Sequence, residues 1–308
     1  MEISRKFDVV IVGGGPAGMA AALWCDELVL SSCLIEKGRA LGGQLAWIHN
    51  PINNYPGAEF ASGSECIESF KASLSDRIFQ LFTYTEVVSI DLEKRTVETS
   101  AGTFEGDSII LAMGIRRREL GVPGEVEFRG SGILASGSRD RRQVDGQDVA
   151  VIGGGDAALE NALILAEFAN KVYLIHRRDG FSAREEFIAS VAANAKIELI
   201  LGAKVDKFGG ERELAYIDIR HAAGASRRLP VTKAVVRIGV VPNSEILAGH
   251  LDLDERGYVR ADRLGRTSAD RVYAIGDIAN PVSPTIATAV GSAANVVKAI
   301  TRSARFLE

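Results

Sequence analysis

Residues 7–18 have the sequence Phe7-Asp-Val-Val-Ile-Val-Gly13-Gly14-Gly15-Pro16-Ala17-Gly18 and run on into Met-Ala-Ala-Ala-Leu. The β-branched run predicts a buried parallel strand, the glycines a tight turn, and the Ala/Leu run a helix. Gly13, Gly15 and Gly18 have the G-x-G-x-x-G spacing of a dinucleotide-binding turn, in which backbone approaches a pyrophosphate at the helix N-terminus. We therefore predict that this turn binds phosphates through Gly13, Gly15, Pro16, Ala17 and Gly18.

The next predicted strand, Ser32-Cys-Leu-Ile-Glu36, supports this interpretation over that of a purely structural glycine turn. Glu36 lies 23 residues after Gly13, where a carboxylate accepts hydrogen bonds from a ribose. A carboxylate at this position suits a free 2′-hydroxyl, as in FAD or NAD. Glu36 and its neighbour Lys37 are thus predicted cofactor-binding residues.

The composition is that of a globular protein of about two domains. The chain has 308 residues, 46% hydrophobic and 25% charged, and its net charge of −4 argues against nucleic acid as a ligand. No apolar run approaches the length of a membrane span, and the first residues predict no signal peptide, so we expect a cytoplasmic protein. The three cysteines, Cys25, Cys33 and Cys66, have no metal-binding spacing, and no metal site is predicted.

The opening pattern recurs in the middle of the chain. Residues 148–158 again predict strand, triple glycine and helix, and Ala158 stands in the third glycine position. The second strand of this unit ends at His176, 23 residues after Gly153, the same interval as before. The predicted nucleotide-binding residues of this turn are Gly153, Gly155, Asp156 and Ala157.

The order of the remaining segments predicts that the second unit is inserted into the first. Arginine-rich and Pro/Gly segments, residues 116–124 and 239–243, flank it, and a strand ending in Gly276-Asp277 and a helix from Thr285 follow. We predict an α/β fold with two Rossmann-like, three-layer dinucleotide-binding domains. The predicted domains are residues 1–115 with 244–308 and residues 116–243, each binding one dinucleotide.

The second unit ends its ribose-binding strand in basic residues. His176, Arg177 and Arg178 suit a 2′-phosphate, which favours NADPH over NADH. The alternative is a solvated charge cluster after a strand.

These motifs resemble those of the low-molecular-weight thioredoxin reductases, a family of flavoproteins with two dinucleotide-binding domains. The resemblance implies FAD in the first domain, NADPH in the second, and a homodimer. The matching motifs are Gly13–Gly18, Gly42-Gly-Gln44, Asn54-Tyr-Pro-Gly57, Leu111-Ala-Met-Gly114, Gly153–Glu160, His176-Arg-Arg-Asp-Gly-Phe181, Gly239 with Pro242-Asn243, and Ala274-Ile-Gly-Asp277.

The resemblance also implies roles for further residues of the FAD domain. A helix N-terminus at Thr285 and Ile286 would face flavin O2, where reduced flavin carries negative charge. The other implied contacts are Gly43, Gln44 and Asn54 near the flavin, Val87, Ala112 and Gly114 on the adenine side, and Gly276 and Asp277 at the ribityl chain.

One departure from the family decides the predicted chemistry. Its C-x-x-C precedes the second glycine turn, and the two cysteine positions are here Ser136 and Arg139. Neither residue forms a disulfide or a thiolate. Asp140 matches the family's proton-donating acid, but without a thiolate that role lapses. Some reductases of this superfamily place one cysteine in the first glycine turn, where this chain has Ala17.

A second departure concerns the 2′-phosphate. The family often has an arginine directly after Gly-Phe, but this chain has Ser182, and Arg184 lies two positions on. If the segment is helical, that shift turns the side chain elsewhere. Arg184 is nevertheless retained as a predicted contact of the nucleotide.

Without a dithiol, electrons must leave from the flavin itself, and no side chain is predicted to be catalytic. The related ferredoxin–NADP reductases of thioredoxin-reductase type resemble the chain here, including Leu41-Gly-Gly-Gln-Leu45. We predict an FAD-dependent NAD(P)H oxidoreductase that reduces a ferredoxin, a flavodoxin or a small acceptor such as a quinone. Arginines at 116–118, 139, 141 and 142 would dock an acidic partner. The alternative for these arginines is a solvated face.

Two other functions remain open from the sequence. One is a disulfide reductase that uses a partner's thiol or Cys66, although buried structural thiols are the simpler interpretation of all three cysteines. The other is a non-enzymatic flavin-binding sensor that kept the fold and lost turnover.

Overall fold

The computed structural model of the chain describes residues 5–305. It divides into two compact units, Met1–Arg116 with Val241–Glu308 and Arg117–Val240. No helix in the described part of the chain combines the length and hydropathy needed to cross a membrane.

Sixteen strands are distributed over the described residues. They are β1 (Arg5–Val12), β2 (Ser32–Ile35), β3 (Gln80–Phe82), β4 (Val87–Asp91), β5 (Thr96–Thr99), β6 (Gly102–Leu111), β7 (Ile115–Arg117), β8 (Asp148–Gly153), β9 (Lys171–Ile175), β10 (Ile197–Ile200), β11 (Ala203–Gly210), β12 (Leu214–His221), β13 (Ser226–Leu229), β14 (Lys233–Arg237), β15 (Val240–Pro242) and β16 (Val272–Ala274).

Six α-helices and four short 3-10 helices also lie in the described residues. The α-helices are α1 (Pro16–Glu27), α2 (Gly63–Ala72), α3 (Gly137–Asp140), α4 (Asp156–Ala166), α5 (Glu185–Ala193) and α6 (Ile286–Arg305). The 3-10 helices are Gly43–Trp47, Arg141–Val144, Glu245–Leu247 and Gly276–Ile278.

The first unit is built on a mainly parallel sheet of order β3-β2-β1-β6. Strand β6 pairs with β16 in parallel through its second half and with β5 in antiparallel fashion through its first half. Alternate residues of β1 face opposite sides: Val9 and Ile11 pack with helices α1 and α6, and Val10 and Val12 pack in a second apolar cluster. The alternation explains why a continuous β-branched run is needed here.

The second unit has three layers. Its central parallel sheet has the order β10-β9-β8-β14, and β11, β12 and β13 form a separate antiparallel sheet. Val149 and Val151 pack on the helix side with Leu159 of α4, while Ile152 packs on the other side with Ile217 of β12. The predicted fold class, α/β with two Rossmann-like units and the second inserted in the first, is confirmed.

Several elements of the structure have no counterpart in the sequence analysis. The chain turns between β3 and β4, where Tyr84 adopts a left-handed φ of 52°. Helix α5 was not predicted, nor were β11 and β13. The three-stranded sheet forms by pairing between segments that each have one polar face. Short segments that alternate polar and apolar residues give only a weak hydrophobic pattern from which to predict a strand.

Two helical glycines offer a matched test of the packing. A Cβ on Gly18 of α1 would lie 1.8 Å from the carbonyl oxygen of Gly13, whereas a Cβ on Gly291 of α6 would meet nothing within 4 Å. We expect Gly18→Ala to lower the free energy of unfolding by about 3 kcal/mol, because backbone must shift. Gly291→Ala is expected to raise it by about 0.5–1 kcal/mol. Urea unfolding followed by circular dichroism measures both, and equal midpoints for the two variants would contradict the close-packing argument.

Candidate cofactor sites

The first glycine turn combines two crowded positions with an open one. Gly13 has a φ of 107°, and a Cβ on it would lie 2.4 Å from the carbonyl oxygen of Ala112. Gly18 is equally crowded, but a Cβ on Gly15 would meet nothing within 4 Å. Helix α1 begins directly afterwards with Pro16 at its first position. The space above Gly15 therefore fits a diphosphate at a helix N-terminus.

The Glu36 carboxylate is held in place by two backbone amides. Gly14 donates its N–H to Oε2 at 2.8 Å, and Gly38 donates its N–H to Oε1 at 2.6 Å. Each oxygen keeps a further lone pair for a ribose hydroxyl. Glu36 faces a cavity of about 290 Å³. Its lining is Val12, Gly13, Ile35, Glu36, Lys37, Thr85, Glu86, Val87, Met113, Arg116, Asn243, Glu245 and Ile246.

The far wall of this cavity was missed by sequence reasoning. Arg116 donates through Nη1 to the Pro242 carbonyl at 3.2 Å and to Asn243 Oδ1 at 3.1 Å, and its Nη2 pairs with Glu245. Asn243 in turn donates to the Met113 carbonyl at 2.7 Å. The only hint in the sequence was the Pro242-Asn243 motif, where the chain re-enters the first unit. Of the predicted adenine-side residues, Val87 lines the cavity, and Ala112 and Gly114 flank its Met113.

The loop that contains Gly43 and Gln44 lies against the first glycine turn. The Gly42 N–H donates to the Gly14 carbonyl at 2.8 Å, and a Cβ on Gly43 would lie 3.1 Å from the Gly15 Cα. Gln44 directs its Nε2 towards Gly114, 4.0 Å from a Cβ at that position. By contrast, the exposed Asn54 side chain has no hydrogen-bond partner in the described part of the chain.

Gly276 and Asp277 lie where α1 and α6 meet. A Cβ on Gly276 would lie 2.9 Å from the Ala17 Cβ and 3.8 Å from the Ala289 Cβ. Burial raises the pKa of the Asp277 carboxyl, which has no hydrogen-bond partner among the described residues. A half-buried acceptor of this kind fits a hydroxyl-bearing chain. At the start of α6, Ile286 follows Thr285, whose Oγ1 accepts from the Thr288 N–H at 3.2 Å.

The second glycine turn repeats the arrangement of the first. A Cβ on Gly153 would lie 2.1 Å from the Arg237 carbonyl oxygen, and one on Gly154 would lie 2.2 Å from the His176 ring. A Cβ on Gly155 would meet only the Ser182 Oγ, at 3.9 Å. Here too the position that faces a pyrophosphate in such turns is open, and helix α4 begins directly after it at Asp156.

The basic residues after β9 differ in their surroundings. His176 stacks on Phe181 with ring centroids 5.5 Å apart, and burial lowers its pKa, so the ring is neutral at pH 7. Its Nε2 is buried and unpartnered in the described structure. Arg177 and Arg178 are exposed and form no ion pair within residues 5–305. They are therefore available to a phosphate.

Arg184 is not available in the same way. It is the residue before α5 rather than part of a helix, and it donates through N and through Nε to Asp156, both at 2.8 Å. Its Nη1 also lies 2.8 Å from Glu186. The structure thus brings the predicted residues Arg184 and Asp156 together as an ion pair at the second glycine turn, and two carboxylates neutralise the guanidinium.

The segment before β8 contains the two positions where the family has cysteines. Ser136 caps α3, its Oγ accepting from the Arg139 N–H at 3.3 Å. Asp140 is only 4% exposed and accepts from Arg139 Nη2 at 2.8 Å and from the Ser136 N–H at 3.0 Å. Burial acts to raise the pKa of the Asp140 carboxyl, but these donors hold that pKa below its usual range. Asp140 is therefore a carboxylate at neutral pH, and not a proton donor.

The chain matches the pyridine nucleotide-disulphide oxidoreductase family over residues 7–294. It belongs to this family. The thioredoxin reductase of Mycolicibacterium smegmatis is 35% identical over 289 residues, which are 92% of each chain. Among solved structures, Lactococcus lactis thioredoxin reductase has a TM-score of 0.81 at 28% identity over 96% of this chain and 98% of that one. The T. acidophilum enzyme has a TM-score of 0.80 at 26% identity over 98% and 100%.

These comparisons confirm the resemblance to low-molecular-weight thioredoxin reductases and define the cofactors. This oxidoreductase contains FAD and uses NADPH, as its family does. The residues present fit both groups, because each glycine turn leaves open the position that faces a pyrophosphate. Glu36 would hold the adenosine ribose of FAD, and Arg177 and Arg178 the 2′-phosphate of NADPH. When bound, FAD accepts a hydride and passes electrons on singly or in pairs.

The surroundings of the three thiols disfavour the thiolate form. Cys25, Cys33 and Cys66 are all fully buried. Burial raises the pKa of Cys25 and of Cys33 to about 12 each, and raises that of Cys66. Since the thiolate is the nucleophile, none of the three can replace the missing dithiol without rearrangement.

The role of Glu36 can be tested by Glu36→Gln. The amide keeps the shape but loses the charge and one of two acceptor oxygens, so a charge-assisted hydrogen bond is lost. FAD affinity should fall about tenfold or more. Flavin fluorescence released on dilution measures it, with Glu98→Gln, an exposed acid on β5, as the control. Unchanged FAD retention in the Glu36 variant would count against this contact.

The basic pair after β9 can be tested by substituting both Arg177 and Arg178 with Ala. The KM for NADPH should rise about tenfold or more, because charge-assisted bonds to the 2′-phosphate are lost. The KM for NADH should change less than about twofold. Steady-state kinetics with each nucleotide measures this, and Arg220→Ala, a distant arginine paired with Asp206, is the control. Equal loss with both nucleotides would show that the pair does not read the 2′-phosphate.

Proposed function

We propose that this protein passes electrons from NADPH through FAD to an external acceptor, without a redox-active dithiol. For a two-electron acceptor A such as a quinone, the balance is NADPH + A + H⁺ → NADP⁺ + AH₂, in which the acceptor gains two electrons and two protons, one of them from solvent. For a one-electron acceptor such as a ferredoxin (Fd), it is NADPH + 2 Fd(ox) → NADP⁺ + 2 Fd(red) + H⁺. The acceptor is an acidic electron-transfer protein such as a ferredoxin or flavodoxin, or a small molecule such as a quinone.

The observation that carries this proposal is the chemistry of the segment over residues 136–140. Ser136 and Arg139 occupy the two cysteine positions, and neither can carry electrons. Asp140, the acid that would serve a thiolate, is instead held as the counterion of Arg139. The segment is held by ionic and capping interactions, which support a function without a dithiol at this place.

The exposed arginines support an anionic acceptor. Arg118, Arg141 and Arg142 form no ion pair within the described residues, while Arg116 is engaged by Glu245. Arg141 and Arg142 lie 5.8 and 5.1 Å from the Phe168 ring centroid. Unpaired surface cations speed encounter with an acidic partner. We further infer a cytoplasmic homodimer, as the resemblance to the reductase family implies.

A disulfide reductase is the second candidate, and the names of the relatives favour it. One relative is a bifunctional thioredoxin reductase/thioredoxin of Mycobacterium leprae (strain TN). For this chain such an activity would need a thiol supplied by the partner, because Cys66 is buried and its pKa is raised. A flavin-binding sensor would instead show flavin that neither NADPH nor NADH reduces.

The deciding experiment is anaerobic stopped-flow reduction of the purified protein by NADPH, followed by a screen of acceptors. We expect rapid bleaching of the flavin and reoxidation by ferredoxin, flavodoxin or quinone. Replacing Cys25, Cys33 and Cys66 by Ser or Ala should leave turnover within about twofold, because no thiol takes part. Reduction of a protein disulfide that is lost in Cys66→Ser would overturn the proposal. A flavin that stays oxidised under NADPH would do so as well.

A further inference from the structure

Two guanidinium groups of the second unit share one backbone carbonyl. Arg117, at the end of β7, donates through Nη1 to the Ala135 carbonyl, and Arg237 donates to the same oxygen through Nη2 at 3.1 Å. Arg237 is the last residue of β14 and pairs in register with Gly153. Ala135 directly precedes Ser136, so both cations lie beside the segment that replaces the dithiol.

This cluster has an excess of positive charge. Arg139 is paired with Asp140, but Arg117 and Arg237 have no carboxylate within ion-pair distance in residues 5–305. Three guanidinium groups therefore share one carboxylate. Burial, followed by the charge of Arg117, lowers the pKa of Arg237 to about 10, and burial followed by the charge of Arg139 lowers that of Arg117. Arg237 is half-buried and Arg117 is exposed, so the two cations are held close together with part of their charge removed from water. Like charges held close repel one another, and a bound anion would relieve that repulsion.

The segment is anchored firmly enough to present such a site. The buried Asn161 of α4 accepts from the Gly137 N–H at 3.1 Å and donates to the Ala157 carbonyl at 2.7 Å. Ser136 and Asp140 are 6% and 4% exposed. The Ala135 carbonyl is therefore fixed relative to the second glycine turn, and both arginines converge on a rigid point.

We propose that Arg117 and Arg237 bind an oxyanion group of a small electron acceptor: a carboxylate, phosphate or sulfonate. This inference rests on the proposed function and specifies the acceptor. A guanidinium has five N–H donors, of which Arg117 uses one and Arg237 two, so two oxygens of a carboxylate, phosphate or sulfonate can be held bidentately. A small oxyanion group suits this arrangement because both guanidinium groups meet at one carbonyl oxygen, so a single anion can contact both.

Binding is tested first without turnover. The holoprotein is unfolded thermally in sodium sulfate and in sodium chloride at equal ionic strength. Sulfate stabilises most proteins because it is excluded from their surface. The quantity to compare is therefore how much the sulfate-specific rise in Tm differs between variants. We expect the sulfate-specific rise in Tm to shrink in Arg117→Gln and in Arg237→Gln, each checked for full FAD content, and to persist in the control Arg228→Gln. A sulfate effect of equal size in all four proteins would overturn the site.

The acceptor assignment is tested with 1,4-naphthoquinone-2-sulfonate and the neutral menadione. In Arg117→Gln and Arg237→Gln the KM for the sulfonate should rise about tenfold, with the KM for menadione unchanged. Sulfate should compete with the sulfonate. Sulfate that competes only with NADPH and not with the sulfonate would overturn the assignment. An unchanged KM for the sulfonate in both variants would do so as well. So would a loss confined to ferredoxin reduction. If NADPH reduces no acceptor at all, the proposed function fails, and the sulfate experiment still tests the site.

Discussion

The close approach of helix to strand at the two glycine turns is the constraint on which the structure depends. At the first turn a Cβ on Gly18 would lie 1.8 Å from the Gly13 carbonyl oxygen, so only glycine allows α1 to start there. At the second turn Ala158 already carries a Cβ, and a Cβ on Gly153 would lie 2.7 Å from it. The helix N-terminus and the carboxyl ends of the parallel strands consequently meet at one edge of each sheet, and the polar residues that follow the strands are gathered there.

The two sheet edges have the same backbone arrangement, but their side chains differ in charge. At the first edge the Glu36 carboxylate is held by the amides of Gly14 and Gly38, which suits hydroxyl groups. At the second edge Arg177 and Arg178 form no ion pair with any residue that the structure describes, which suits a phosphate. The extra acid at the start of α4, Asp156, would repel a pyrophosphate if it stood alone. The ion pair of Asp156 with Arg184 offsets that repulsion, and the contact of Arg184 with the nucleotide stays a prediction.

Most of the fold could be predicted because its decisive features are local. Each glycine turn lies within a dozen residues. The acidic or basic residue predicted to contact the ribose follows each turn at a fixed interval. The far wall of the first cavity could not be predicted, because Arg116 and Glu245 are 129 positions apart and meet only through the tertiary fold. The contact that Arg117 and Arg237 share with Ala135 could not be predicted either, because no spacing of residues along the sequence indicates it. A helix around Arg184 was only a condition in the sequence analysis, and in the structure Arg184 directly precedes α5.

The loss of two thiols changes more than the two positions concerned. A dithiol segment can be neutral, and its neighbouring acid can keep a proton to give away. Once Arg139 stands in the second position, the buried Asp140 has a permanent cation against it and remains ionised. The acid thereby becomes a structural counterion, and proton transfer from this segment is no longer available. One carboxylate cannot also balance Arg117 and Arg237, so the segment that elsewhere exchanges electrons through sulfur here presents uncompensated positive charge. In the proposed function, electrostatic recognition of the acceptor therefore takes the place of covalent exchange through sulfur.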